Sequence, residues 1–327
     1  MHIAIIGAGI SGLSAAAELS KAGYQVSIFD KGRGPGGRMS TRRLAIQETQ
    51  VGFDHGAQYF TARSAPFVAQ VDAWRAQDIV ARWDGRLASF DRHNVITELT
   101  GEDRYVGVPG MNAIIRHMAA NHNVVWGQQV TAIAALDEGG YRLSLASGMC
   151  EDIFEAVIIA TPAEQAAVLL APVSQTFSKR AEAVMSVPCW TVMAVFEHAV
   201  AWPWDGVMLS ERPLSWVARN SSKPQRADLE AWVLQASPEW SQAHIEDAPE
   251  DVADYLVGTF AQLAGAGTVR HSTSHRWRFA QPETAPAPGP LWDPVAKIGI
   301  CGDWCSQGRI ESAWLSGRDL VAALEAG

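Results

Sequence analysis

The chain has 327 residues, more than one hydrophobic core usually serves, so two connected domains or one domain with a large insertion are expected. A formal net charge of −9 sets aside a nucleic-acid partner, since phosphate binding needs a basic surface, and no apolar run approaches the ~20 residues of a membrane span. The apolar amino terminus lacks the basic leader of a signal peptide, and the four cysteines suit a reducing compartment, so a cytoplasmic protein is expected. Cys301 and Cys305 are spaced C-x3-C rather than C-x-x-C, and no histidine pair completes a zinc site, so no metal is expected. Most of the 13 tryptophans read as core and interface residues.

In chain order, His2 to Ile6 reads as a short apolar strand followed at once by Gly7-Ala8-Gly9-Ile10-Ser11-Gly12. Gly7 permits a tight turn, Gly9 lets a pyrophosphate approach the backbone, and Gly12 lets the following helix pack close on the strand. That helix is expected over Ile10 to Ala22 with Gly23 as its cap, and phosphates would sit on its amino end. A second strand, Gln25 to Phe29, stops at Asp30, whose carboxylate is placed for ribose hydroxyls. Residues 73–100 read as sheet of a second domain, and Val108 to Met118 as a turn at Pro109-Gly110 entering a helix near Asn112. A strand at Val124 to Trp126, a hairpin turning at Glu138-Gly139-Gly140 and a doubly buried strand at Ala156 to Ala160 follow. Beyond Glu164 the strands Trp190 to Phe196 and Ala231 to Ala236 and a helix from Pro249 to Leu263 suggest a separate sheet with covering helices. Gln281 to Pro290, with four prolines, reads as a loop before a last apolar strand ending in Gly302-Asp303.

Asp30 to Met39 holds five glycine or proline residues and three cations, a loop with exposed amides and local positive charge. With Arg38 available to a pyrophosphate, it resembles the extension of the FAD-binding fold shared by amine oxidases, phytoene desaturases and related flavoproteins. Gly302 to Gly317 resembles the closing flavin motif of the amine oxidase superfamily. That match implies Asp303 on the ribityl hydroxyls and backbone amides around Arg309 and Ile310 facing the pyrimidine oxygen, where charge develops on reduction. The expected fold is therefore α/β: an FAD-binding Rossmann-like domain of the amine oxidase/p-hydroxybenzoate hydroxylase type, with a second α+β substrate domain on a mixed sheet. Residues 1–72, 101–163 and 291–327 would form the first, and 73–100 and 164–290 the second.

Gly52-Phe53-Asp54-His55-Gly56-Ala57-Gln58-Tyr59-Phe60-Thr61, with Gly36 to Arg43 and Tyr105 to Met111, is similar to the renalase family, its bacterial members in particular. The resemblance spans the chain, and the DHGAQYFT string is its most specific part. It implies a noncovalent FAD oxidase that takes hydride from nicotinamide dinucleotides misreduced at the 2 or 6 position, returns NAD(P)+ and passes two electrons to O2, giving hydrogen peroxide. Cofactor contacts would come from Gly7, Gly9, Ser11, Gly12, Asp30, Lys31, Gly37, Arg38, Met39, His55, Gly56, Val130, Thr161, Gly302, Asp303, Arg309 and Ile310. Substrate contacts would come from Ala57, Gln58, Tyr59, Phe60, Thr61 and Arg63, with Gln58 on the carboxamide, Tyr59 or Phe60 against the ring and Arg63 on a phosphate, while Phe60 fits plain core equally well and Arg63 a solvated surface charge. Trp190, Trp216, Trp277 and Trp292 are further candidate walls among which sequence does not choose. No catalytic side chain is assigned, because a dihydropyridine has no proton to surrender and orientation is the main requirement. Amine-oxidising relatives commonly carry a flavin-bridging lysine, whereas Lys179 and Lys223, alone in the presumed substrate domain, sit in no matching motif. An amine oxidase or dehydrogenase, and a non-catalytic FAD protein acting through partners, remain the alternatives.

Overall fold

His2–Ile6 and Ala156–Ile159 are almost wholly apolar without alternation, the pattern of strands covered on both faces, and they lie side by side in a parallel sheet. The computed structural model describes residues 1–93, 95–283, 289, 291–306 and 308–326. They fall into two units, one of Met1–Gly37, Ile115–Ser186 and Gln281–Gly327, the other of Arg38–Ile114 and Val187–Ala280. Residues 38–72 and 101–114, which the sequence groups with the nucleotide domain, cluster with the second unit, while residues 164–186 and 281–283, expected in the substrate domain, cluster with the first. Of the expected loop Gln281 to Pro290, residues 284–288 and 290 lie outside the described residues.

The sheet of the first unit has six strands in the order Trp292–Asp293, Ile298–Ile300, Ala156–Ile159, His2–Ile6, Gln25–Asp30 and Val124–Trp126. All neighbours are parallel except the first pair. A three-stranded antiparallel meander, Val130–Ala135, Tyr141–Leu145 and Gly148–Phe154, contributes Ile133, Leu143 and Phe154 to the same core as Ile6, Phe29 and Ile159. The first helix, Ile10–Lys21, ends as its sequence requires: Gly23 takes a φ of 85°, and the Tyr24 amide donates to the Leu19 carbonyl.

That helix is seated by missing side chains. A Cβ on Gly12 would stand 2.1 Å from the Gly7 carbonyl oxygen, and one on Gly317, in the terminal helix Ile310–Ala326, 2.3 Å from the Ser11 carbonyl oxygen. Ser14 Oγ donates to the Trp314 carbonyl at 2.8 Å, locking the same crossing.

The second unit is built on a seven-stranded sheet in the order Val269–Pro282, Ser186–Phe196, Ala231–Ala236, Leu214–Arg219, Gly206–Leu209, Leu87–Phe90 and Ile96–Glu98. The sheet is mixed, because Gly206–Leu209 runs parallel to Leu87–Phe90. Helix Pro249–Ala264 covers it with Val252, Leu256 and Phe260 in a core shared with Trp190, Trp232 and Leu234. A hairpin, Thr41–Ile46 with Thr49–Asp54, packs Ile46, Val51 and Phe53 on Met193, Val195 and Val233 of that sheet. The expectation of sheet from residue 73 onward needs correction at its start. Phe67, Val71 and Trp74 recur at helical spacing, and Ala65–Arg75 is a helix that buries all three. Among the described residues no helix is long and apolar enough to cross a membrane.

Gly317→Ala tests the helix crossing. Alanine favours an isolated helix by about 1 kcal/mol over glycine, but here its Cβ meets backbone that cannot swing aside. A net loss of about 1–3 kcal/mol is expected from urea denaturation, and a midpoint at or above wild type would refute the close approach.

Candidate functional site

In the first unit the chain leaves His2–Ile6 at a topological switch point, with Gln25–Asp30 on one side and Ala156–Ile159 on the other. Gly7 takes a φ of 110°, and a Cβ there would stand 2.7 Å from the Ala160 carbonyl oxygen. Around Gly9 nothing lies within 4 Å of the position a Cβ would take. No side chain caps the helix that Gly9 begins, which leaves its first-turn amides for an anion. Asp30 ties the glycine turn to the next loop: its Oδ2 accepts from the Ala8 amide and its Oδ1 from the Gly32 amide, both at 2.7 Å. Each oxygen keeps a further acceptor site.

The other expected cofactor residues of this unit fall into two groups. Buried Ser11 lies against Cys301, whose thiol burial pushes up to about 12, and Thr161 Oγ1 at the end of Ala156–Ile159 is buried without a hydrogen-bond partner. Trp304 Nε1 holds the Thr161 carbonyl at 2.9 Å, Asp303 is buried beside it in sequence, and the Gly302 amide donates to Ser316 Oγ at 2.9 Å. Val130 belongs to the hydrophobic core. Lys31, Gly37 and Arg309 are exposed, Ile310 opens the terminal helix, and Gln307 lies outside the described residues.

The second unit holds Arg38, Met39 and the DHGAQYFT segment. Met39 is buried, and Arg38 NH1 lies 3.5 Å from the Ala280 carbonyl. Gly56 is required by packing, since a Cβ would stand 2.1 Å from the Arg38 carbonyl oxygen, which also accepts the Ala57 amide at 2.9 Å. His55 is buried between His275 and Trp277, with ring centroids at 4.9 and 5.0 Å, and Trp277 Nε1 donates to its carbonyl. Burial first, then the neighbouring His275 and Arg42, lowers its imidazole to about 4, so it is neutral near pH 7.

Three expected substrate contacts are turned elsewhere. Gln58 is buried; its Nε2 donates to the Asp54 and Gly56 carbonyls and its Oε1 accepts from Lys223 Nζ at 3.1 Å, so its amide is spent inside the protein. Phe60 is core, packed on Phe67 and Tyr105 and bridged to Tyr105 through both backbone groups. Arg63 is exposed and neutralised by Glu102 at 2.6 Å. Tyr59 is half-buried and faces Trp216 at 5.5 Å and Trp83 at 6.1 Å, with the Arg104 guanidinium over its ring. Ala57 and Thr61 are half-buried on the same segment. Of the other tryptophans, Trp190 is core and Trp292 lies on the edge strand of the first unit.

Beneath this segment lies a charge network that spacing along the sequence does not reveal. Asp54 Oδ1 accepts from Thr41 Oγ1 at 2.8 Å and the Met111 amide at 2.9 Å, while Oδ2 pairs with Arg226 at 2.6 Å and Lys223 at 3.5 Å. Burial pushes the carboxyl up, but the Lys223 and Arg226 cations outweigh it and hold Asp54 below its ordinary value. Lys223, with no exposed side-chain surface, is lowered to about 8 by burial against the pull of Asp54. Asn220 completes the network, donating to the Gly52 carbonyl and accepting the Asp54 amide. Among the described residues no cluster of side chains could hold a metal ion.

Comparison with known proteins accords with this geometry. Residues 5–71 match the model of an NAD(P)-binding Rossmann-like domain, and residues 83–324 that of a flavin containing amine oxidoreductase. Over 40 residues the chain is 58% identical to a 4,4'-diapophytoene desaturase of Staphylococcus haemolyticus, a match spanning 12% of this chain and 8% of that protein. A solved Exiguobacterium sp. 255-15 protein assigned as a protoporphyrinogen oxidase superposes with a TM-score of 0.77 at 13% identity, covering 99% of this chain and 98% of the other. A putrescine oxidase bound to putrescine superposes with a TM-score of 0.69 at 13% identity over the full length of both chains. An oxidoreductase of Methanosarcina mazei does so with a TM-score of 0.69 at 12% identity, covering 98% and 100%. At these identities the structures share the fold. The family's cofactor is a flavin, and the residues present fit one: the open space at Gly9, the uncapped helix end and the orphaned Thr161 hydroxyl are the features a dinucleotide would fill.

His55 makes the stability of the second unit depend on pH. Its folded value, about 4, lies below that of an unfolded histidine, so between pH 6.5 and 4 the unfolded chain binds the extra proton and stability falls with pH. Relative to a His55→Phe variant, wild type should lose roughly 3 kcal/mol more on going from pH 7 to 4 in urea titrations. Parallel losses in the two proteins would contradict the assignment.

Proposed function

We propose that this chain, which belongs to the flavin-containing amine oxidoreductase family, is a noncovalent FAD-dependent oxidase of misreduced dihydronicotinamide dinucleotides, with NAD(P)+ as product. The observation that carries this reading is the condition of the ionisable groups around the DHGAQYFT segment. Lys223, one of the two lysines of the expected substrate domain, is buried with its ammonium between Asp54 and Gln58, and His55 is buried and neutral. An amine must lose a proton before its carbon yields hydride, whereas a 2- or 6-dihydropyridine yields hydride alone and becomes aromatic. With Lys223 spent on Asp54 and Gln58 and His55 enclosed between His275 and Trp277, the segment suits the second reaction.

FAD, when bound, supplies the hydride acceptor and the route for two electrons to O2, giving hydrogen peroxide. The chain's own contribution is binding and orientation. In the first unit Gly7, Gly9 and Gly12 shape the turn for the pyrophosphate, Asp30 serves the ribose and Asp303 the ribityl chain. In the second, half-buried Tyr59, backed by the buried Trp216, would provide aromatic surface for a flat ring, and Trp277 and Gln235 fix the backbone of the segment through the His55 and Gly56 carbonyls at 2.9 Å. Holding the ring at one angle and distance is worth several kcal/mol of barrier, on the order of 7 or more in well-aligned cases. The thiols of half-buried Cys189 and buried Cys301, pushed up by desolvation to about 11 and 12, are protonated near pH 7 and suit a noncovalent flavin. The reading places the enzyme in the cytoplasm with a small dinucleotide and O2 as its partners.

The test is anaerobic mixing of the flavin-loaded protein with 2- and 6-dihydro-NAD(P), with ordinary NADH and with a panel of primary amines, while the visible flavin absorbance is followed. Bleaching by the misreduced isomers alone, with colour returning in air, is expected. Bleaching by amines alone would overturn the proposal in favour of an amine oxidase. No bleaching by any donor would overturn it in favour of a non-catalytic flavoprotein.

A further inference from the structure

The hairpin of the second unit shares a polar cavity of about 180 Å3 with two other segments, Pro109-Gly110 and Gln225-Arg226-Ala227. Thr41, Arg43, Gln50, Gln225 and Arg226 supply its polar side chains, and none of the described residues lining it is acidic. Arg43 lies opposite Gly52 across the hairpin, and both line the cavity. Among the described residues the exposed Arg43 guanidinium makes no ion pair.

Arg226 carries the argument further. Its side chain is 1% exposed; NH1 donates to the Pro224 carbonyl and NH2 to Asp54 and the Gly107 carbonyl, but Nε is buried with no hydrogen-bond partner. Among the described residues Asp54 is the single carboxylate set against both Lys223 and Arg226, and all three side chains are buried. An orphaned buried donor and a surplus buried cation are each costly, and a bound anion relieves both. Two guanidiniums and two amides on separate chain segments offer more donors than a planar carboxylate uses, and they match a group with three terminal oxygens and close to two negative charges.

We propose that this cavity binds a phosphate monoester or inorganic phosphate between the Arg43 and Arg226 guanidiniums. The proposal does not depend on the dihydronicotinamide reading. Phosphate reaches the site either as the free ion or as a nucleotide's 2'-phosphate, and the ligands used in the test separate the two.

The experiment is calorimetric titration of the flavin-loaded protein at low salt with inorganic phosphate, adenosine 2'-monophosphate, adenosine and acetate. Phosphate should bind with one site per chain, and Arg43→Gln should weaken it about tenfold or more with flavin content unchanged. Gln50→Glu, another exposed position, should abolish binding by placing a carboxylate in the cavity. Tighter binding of adenosine 2'-monophosphate with the same dependence on Arg43 identifies a nucleotide ligand, and equal or weaker binding identifies the free ion. The proposal is overturned by no phosphate binding at millimolar concentration, by acetate binding as tightly as phosphate, or by unchanged affinity in Arg43→Gln.

Discussion

The first unit depends on how closely its backbone segments approach one another where side chains are absent. With Gly12 resting on the Gly7 carbonyl and Gly317 on the Ser11 carbonyl, the first helix is clasped between the strand turn and the terminal helix with no room for a methyl group. Such positions are decided by sterics rather than by hydrophobic burial, and a mismatch of one carbon is felt because the interior is close-packed. The same clasp aims an uncapped helix end at the open space beside Gly9. The uncapped helix end is thus a consequence of the packing, its first-turn amides delivered by the geometry that seats the helix.

The second unit is organised by buried charge. Asp54 receives a hydroxyl, a backbone amide, a guanidinium and an ammonium, and these come from the hairpin, the segment before helix Asn112–Ala119 and the loop after Leu214–Arg219. Desolvating such a group is repaid only when its acceptor sites are filled, and here both carboxylate oxygens are occupied. The price of that arrangement is loss of chemistry: Lys223 and Gln58 are committed to holding the segment in place and present no free base or amide. The aromatic rings of Tyr59, Trp216 and Trp277 stand above this network.

The amino-terminal half of the site was legible because its chemistry is local. Gly7, Gly9, Gly12 and Asp30 lie within one strand–helix–strand unit, and each has a steric or hydrogen-bonding reason readable from its neighbours. The parallel sheet, the hairpin at Gly139-Gly140 and the helix from Pro249 were legible for the same reason. The Asp54 network was not, because Lys223 and Arg226 come from a loop about 170 residues further along the chain, and no periodicity relates them. Asp54 itself lay in view within the DHGAQYFT string, and the scarcity of lysine drew attention to Lys223 without giving it a place. Gln58, Phe60 and Arg63 show the limit of reading polarity from a loop. Which way a loop side chain turns is set by partners such as Lys223, Tyr105 and Glu102 that only the fold brings near.

The central claim is that the glycine-shaped site of the first unit holds a flavin dinucleotide without a covalent bond. The most direct measurement is acid precipitation of the purified protein, followed by chromatographic identification and quantitation of the flavin in supernatant and pellet. The account predicts FAD in the supernatant at one per chain and none on the precipitated polypeptide. FMN in place of FAD, flavin retained on the polypeptide, or a colourless protein that takes up no FAD would contradict it.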